Sequence, residues 1–277
     1  IRWIISLKRV GVIQLCSGTD IACNLKEVEY FIRAAANDGA ELIVTPEMTH
    51  IVQRNPQKLL KSIYKESEDP GVNLFSALAK ELSVNILIGS LAIKTNPNKA
   101  VNRSFLFGAK GAIKARYDKI HLFDVKVSKD EIWKESNIFK AGDTPVIVDV
   151  KSAKIGLSIC YDVRFPYLYR SYAQSNANIL SIPSAFTVPT GKAHWEVLLR
   201  ARAIENGSFV IAPAQVGLHE DGRSTYGNSM IIGPWGNIIS AIDNKRADYM
   251  CCDIDPREVN EVRKNIPSLS HSVSLKL

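Results

Sequence analysis

Three residues of reactive type stand just beyond short runs whose composition suits strands. Glu47 follows residues 42–45, Lys119 follows a segment ending at Tyr117, and Cys160 follows residues 154–159. A thiolate attacks carbonyl carbon, a carboxylate in a dry pocket takes a thiol proton, and an ammonium stabilises an oxyanion. Cys160 lies in the stretch Ile159-Cys160-Tyr161-Asp162-Val163-Arg164-Phe165-Pro166. A cysteine between a strand and a following helix sits near helix N-terminal amides, which lower a thiol pKa and supply oxyanion donors. Free cysteines are more often buried packing residues, and Cys16, Cys23, Cys251 and Cys252 are read that way. Cys160 differs in the polar and charged residues that follow it at once. Its base stays open at this point. His121 (in KIHLF) and His194 (in AHWEV) have no local feature that favours either, and Glu47 is the carboxylate alternative. Lysine is ordinarily solvated, yet Lys119 stands between Tyr117 and the apolar Ile120, Leu122 and Phe123, which turns it inward.

The elements that must position these groups follow from hydrophobic periodicity. Residues 10–15 suit a buried strand, and Asn24 with Glu27 predicts a capping box for a helix that ends at Gly39. Residues 42–45 are a strand again, so the chain opens strand, helix, strand, as an α/β protein does. Further on, 72–82 reads as helix, 85–93 as extended, and 104–117 as two strands around Ala109-Lys110-Gly111. Residues 146–150 and 154–159 pair as a hairpin through Lys151-Ser152. Then 163–175 reads as helix, 178–182 as strand, 193–206 as helix and 208–214 as strand. Residues 230–232, 238–242 and 249–254 are strands, and Pro256 opens a last helix. Buried parallel strands present their C-terminal ends to a shared crevice, which would gather Glu47, Lys119 and Cys160.

Composition bounds the rest. The 277 residues are 46% hydrophobic and 23% charged, an ordinary globular balance. Without an internal linker, one domain over 1–277 with a core from about 10 to 267 is expected. The net charge of +7 is scattered among acids rather than clustered, so nucleic-acid binding is not expected. Five cysteines without a C-x-x-C pair predict neither disulfide framework nor zinc site, and a reducing cytoplasm. No apolar run reaches membrane-spanning length. The apolar start, residues 1–7, is too short for a signal sequence with a clear cleavage site.

Beyond single residues, TPEM (45–48), YDKIHLFDV (117–125), ICYDVRFP (159–166) and PSAF through GKAHWEVLLRARAIENG (183–207) resemble the nitrilase superfamily of carbon–nitrogen hydrolases. The likeness runs from about Val10 to Pro267. It implies a four-layer α-β-β-α sandwich that associates into homodimers or larger assemblies. It also implies that Glu47 is the base, Lys119 an oxyanion donor with the Tyr161 N–H, and Cys160 the nucleophile. A second glutamate falls on Glu135 of Lys134-Glu135-Ser136, with Glu131 a nearby decoy. No metal or organic cofactor is implied.

The region 183–207, with AQVGLHEDGRSTYGNSMIIGPWG (214–236), looks most like the deaminated glutathione amidase branch. A small carboxylate-bearing linear amide, cleaved to acid and ammonia, is thus the expected substrate. Alternatives are an ω-amidase acting on α-ketoglutaramate or α-ketosuccinamate, an N-carbamoyl amino acid hydrolase, and a non-enzymatic interaction module. Arg164 becomes a candidate anion clamp, or else a partner of Asp162. Phe186 and Thr187 are candidates for the pocket wall, while His194 and Trp195 are expected to pack. The chain departs from the family pattern at Asp118, Lys192 and Asn228, positions commonly basic, Pro and His, and in its tail after Ser270.

Overall fold

The computed structural model describes residues 7–126, 132–271 and 273. Its strands open with β1 (Arg9–Gln14), β2 (Leu42–Val44), β3 (Asn85–Asn96), β4 (Lys99–Phe107) and β5 (Ile113–Asp118). A small hairpin, β6 (Asp124–Lys126) and β7 (Ile132–Lys134), follows. Next come β8 (Ile147–Val150), β9 (Ala153–Leu157), β10 (Ile179–Ser181) and β11 (Phe209–Ala212). A second hairpin, β12 (Val216–Leu218) and β13 (Ser224–Tyr226), precedes β14 (Met230–Ile232), β15 (Ile238–Ala241) and β16 (Asp248–Asp253). The helices are α1 (Ile21–Asn37), α2 (Pro56–Ser62), α3 (Pro70–Leu82), α4 (Pro166–Gln174), α5 (Val188–Asn206) and α6 (Glu258–Asn265).

Two six-stranded sheets form, in the orders β16-β1-β2-β3-β4-β5 and β15-β14-β11-β10-β9-β8. The period of two along each strand decides what each sheet faces. Val10, Val12, Leu42, Val44 and Leu87 point into a core shared with Ile155, Leu157, Leu180 and Ile211 of the other sheet. Their neighbours Ile13, Ile43, Ile86 and Ile88 point the opposite way, onto Val28, Ile32, Phe75 and Leu78 of α1 and α3. On the far side, Leu168, Tyr172, Leu199 and Ala203 of α4 and α5 cover the second sheet. The result is the four-layer α-β-β-α sandwich expected from the sequence.

Several boundaries differ from expectation. The first helix begins at Ile21 under an Asp20 cap, whose carboxylate accepts from Cys23 N–H at 2.8 Å. Asn24 is instead buried inside it, and its side chain holds Gly18 and the His50 carbonyl. Asp69 caps α3, so that helix starts two residues early, at Pro70. The region 163–175 divides into a 3-10 turn (Cys160–Arg164) and α4. Helix α5 starts at Val188, five residues before expected, and α6 at Glu258 rather than Pro256. The hairpins and α2 were not anticipated, because segments of three to seven residues carry too little periodicity.

One close crossing aligns the layers near their C-terminal edges. A Cβ on Gly89 would stand 2.1 Å from Thr45 O, 2.5 Å from Pro46 O and 2.4 Å from Pro183 Cβ. Glycine is required there because the backbones of both sheets meet with no room for a methyl.

Candidate active site

The Glu47 carboxylate leaves the end of β2 through a loop pinned on all sides. Thr49 donates its hydroxyl to Pro46 O at 2.7 Å, Met48 N–H donates to Ser90 Oγ at 2.8 Å, and Gln215 Nε2 donates to Glu47 O at 3.0 Å. Lys119 follows β5, which runs the same way as β2 because β4 pairs antiparallel with both β3 and β5, and β3 runs parallel to β2. β5 is not the buried apolar strand that was expected; it is a half-exposed edge strand whose last residues turn inward. The Lys119 main chain is anchored by its own N–H donating to Asn102 O at 2.9 Å.

Cys160 opens the 3-10 turn beyond β9 with φ +50°, a left-handed conformation that a non-glycine residue adopts at a cost of about 1–2 kcal/mol. Its N–H donates to Pro183 O at 2.8 Å, which holds that conformation. The Tyr161 N–H lies ahead of the turn's own ladder, whose first donor is Asp162 N–H to Ile159 O at 3.1 Å. It is therefore one of the orphan donors of a helix start.

These three elements, with the 3-10 turn Glu135–Asn137 that follows β7, bring Glu47, Lys119, Glu135 and Cys160 together in the wall of one cavity of about 390 Å³. Lys119 Nζ donates to Glu47 Oε1 at 2.9 Å and to Glu135 Oε2 at 2.9 Å. Asn102 Nδ2 spans the same two carboxylates, at 2.9 Å to Glu47 and 3.1 Å to Glu135. Phe123 N–H donates to Glu135 Oε2 at 2.6 Å. Lys119, Glu47 and Cys160 are all buried. The decoy Glu131 lies outside the described residues, as do residues 1–6 of the apolar start.

The electrostatics follow from that burial. Burial pushes the Glu47 carboxyl up, but the Lys119 ammonium, with a hydrogen bond from Cys160 and the charge of Arg223, outweighs it, so Glu47 lies below its ordinary value. Burial likewise pushes Lys119 down, and Glu135 and Glu47 together hold it well above. The Cys160 thiol is pushed up, first by burial and then by the Glu47 charge; Lys119 and the Ala185 N–H offset only part of this. The sequence reading, in which helix amides lower this thiol, is thus reversed. The turn that supplies them is five residues long, and desolvation dominates. Both shifts favour a neutral thiol beside a carboxylate.

The remaining candidates divide. Tyr161, Phe186 and Thr187 line the cavity. Arg164 does not; its guanidinium lies 5.5 Å over the Phe186 ring and 5.9 Å over the Tyr161 ring, behind two rings that do. It makes no pair with Asp162, whose carboxylate accepts from Tyr117 OH at 2.7 Å, Ile159 N–H at 2.8 Å and His121 N–H at 3.0 Å. His121 is bound to Asp162 and Tyr167, and His194 to Arg164, and neither lines the cavity. Trp195 packs on Phe186 with ring centroids 4.9 Å apart and donates its N–H to Asn228 O at 2.8 Å. Asn228 has φ +58°, a conformation that asparagine tolerates better than most residues. Asp118 takes the fork of Arg103 at 2.6 and 2.9 Å, and Lys192 is exposed on α5.

The sequence reading missed Asn102, the Ala185 and Phe123 amides, and Arg54 and Arg223 in the cavity wall. Asn102 carried little signal, since Arg103 and Ser104 beside it in β4 are polar too, although it is only 1% exposed. The amides carry none. Among the described residues, no group of three or more His, Cys, Asp or Glu side chains is placed to hold a metal, and no helix is long and apolar enough to cross a membrane.

Comparison with known proteins agrees with this architecture. The carbon–nitrogen hydrolase family matches residues 9–264. The chain is 39% identical over 267 residues to a deaminated glutathione amidase of Synechocystis sp., covering 95% of this chain and 97% of that one. Among solved structures, the NitFhit protein of C. elegans superposes with a TM-score of 0.90 at 33% identity, covering 97% of this chain. This chain spans 66%, about two thirds, of that longer protein. Saccharomyces cerevisiae Nit3, a member of branch 10 of the nitrilase superfamily, superposes with a TM-score of 0.83 at 27% identity, covering 96% of both chains.

Proposed function

The chain belongs to the carbon–nitrogen hydrolase family, and on that premise we propose that it is a thiol amidase that hydrolyses deaminated glutathione. The observation that carries this reading is the convergence of a buried Lys119, held between Glu47 and Glu135, with Cys160 in the wall of one cavity. The name of the Synechocystis relative supplies the substrate.

In this mechanism the Cys160 sulfur attacks the amide carbon as Glu47 takes the thiol proton. Lys119 and the Tyr161 N–H receive the charge that moves to the carbonyl oxygen. The C–N bond then breaks, Glu47 returns the proton to the departing nitrogen, and a thioester remains. Glu47 next takes a proton from water, the hydroxide adds to the thioester, the C–S bond breaks, and Glu47 returns the proton to the Cys160 sulfur as the acid leaves. Glu135 and Asn102 hold Lys119 and Glu47 in register throughout.

Ammonia leaves only when the substrate is a primary amide. In deaminated glutathione the amide nitrogen belongs to cysteinylglycine, so the leaving group is that dipeptide, which corrects the acid-and-ammonia expectation. Phe186 and Thr187 are assigned to the walls of the keto-acid half, and Arg164 to its carboxylate, which it meets by moving past the Phe186 and Tyr161 rings that it lies over. Its guanidinium forms no ion pair among the described residues and meets His194 Nδ1 at 3.2 Å, which supports this role.

The test is product analysis by mass spectrometry for deaminated glutathione, α-ketoglutaramate and N-carbamoyl amino acids. A kcat/KM at least about tenfold higher for deaminated glutathione is expected. A preference for α-ketoglutaramate or a carbamoyl compound overturns the assignment.

One domain, a homodimer or larger assembly, and a cytoplasmic location complete the proposal. Exposed Tyr167, Val197, Ile204 and Trp235 beside α4 and α5 support association, and five unpaired cysteines support a reducing compartment. Light scattering on the purified protein tests the assembly.

A further inference from the structure

The cavity has a second charged region that the chemistry above does not use. Arg54 and Arg223 both line it, and their guanidinium carbons lie 5.8 and 5.5 Å from the centroid of the Trp133 ring. Asp221 fixes their main chains rather than their charges: one carboxylate oxygen accepts from Arg54 N–H at 2.7 Å and the other from Arg223 N–H at 2.9 Å. Neither guanidinium forms an ion pair among the described residues, although most arginines of the chain do. Arg223 Nε is also buried with no hydrogen-bond partner. Two cations fixed in a cavity wall, one with a buried unpaired donor, form a receptor that lacks its anion.

We infer that Arg54 and Arg223, flanking Trp133, form a subsite for a carboxylate on the leaving-group half of the substrate. The position of the two cationic regions assigns the half. The keto-acid carboxylate is given to Arg164 beside Phe186, so the second region, Arg54 and Arg223 around Trp133, falls to the amine half of the substrate. Guanidinium forks suit a carboxylate in two-point contact, and the ring between them gives a flat apolar wall for the connecting chain. The preferred class is an amide whose amine portion is an amino acid or short peptide with a free C-terminus. This rests on the amidase reading and deepens it.

The experiment compares deaminated glutathione with the same molecule ending in glycinamide, which removes one charge and little shape. Unmodified enzyme is expected to favour the free acid by roughly 10- to 100-fold in kcat/KM. In R223Q and in R54Q that ratio falls towards one. Calorimetry on the C160A protein with both compounds reads the subsite without turnover and should show the same preference in Kd. Equal affinity of C160A for acid and glycinamide, or a ratio unchanged in both arginine variants, overturns the subsite. If C160A prefers the acid but the intact enzyme cleaves neither compound, the subsite stands and the amidase reading fails.

Discussion

The two ends of the cavity treat charge in opposite ways. At the floor, Lys119 meets two carboxylates at 2.9 Å and Asn102 bridges both, so each charge has a partner within the cluster. At the mouth, Arg54 and Arg223 face the same space, and neither guanidinium has an ion-pair partner among the described residues. A matched buried cluster cannot admit a charged ligand without losing an internal partner, so its role is to hold geometry and move a proton. An unmatched cation loses nothing when an anion arrives. The contrast separates groups suited to bond cleavage from groups suited to choosing what is cleaved.

The sharpest way to break this division is at the nucleophile. C160A is expected to lower turnover by about 10⁴-fold or more, followed as product release; residual activity within tenfold of the intact enzyme would remove the floor from the chemistry. K119M comes next, because it strands the buried Glu47 and the partly buried Glu135. It should cost about 3–5 kcal/mol in urea unfolding. N102L removes one donor from the same pair and should cost about 1–3 kcal/mol.

The pH dependence sharpens the comparison further. Glu47 lies below its ordinary value in the folded chain. A depressed carboxyl contributes stability that is fully present above its unfolded value, about 4.3, and is lost as pH falls through the folded value. The stability gap between the intact protein and E47Q should therefore be widest above about pH 5 and close below it. A gap that does not vary with pH excludes this account. R223M, at the mouth, is the smallest effect: a change within about 1 kcal/mol, since only contact with the Trp133 ring is lost.

Much of this arrangement was legible in the sequence, for identifiable reasons. The alternation that sends Val10 and Val12 one way and Ile13 the other is a local property, so the layered fold could be read from it. Glu47 and Cys160 stand just past strands whose apolar runs mark their ends. Asn102 was not noticed because its role depends on β4 pairing between β3 and β5, a long-range fact. The reversed shift at Cys160 depends on how deeply the sulfur is enclosed, which spacing along a chain does not report. Arg54 and Arg223, 169 positions apart in the numbering, become neighbours only through Asp221.

The crossing at Gly89 bears on how such a protein tolerates sequence drift. Thr45 O, Pro46 O and Pro183 Cβ all close on the point where a side chain would begin. Glu47 follows Pro46 directly, and Pro183 O holds Cys160 N–H. The separation of base and nucleophile, carried by different sheets, is thus gauged at a single hydrogen atom. Substitutions in the outer helices can be absorbed by movement of those helices while this gauge holds its setting.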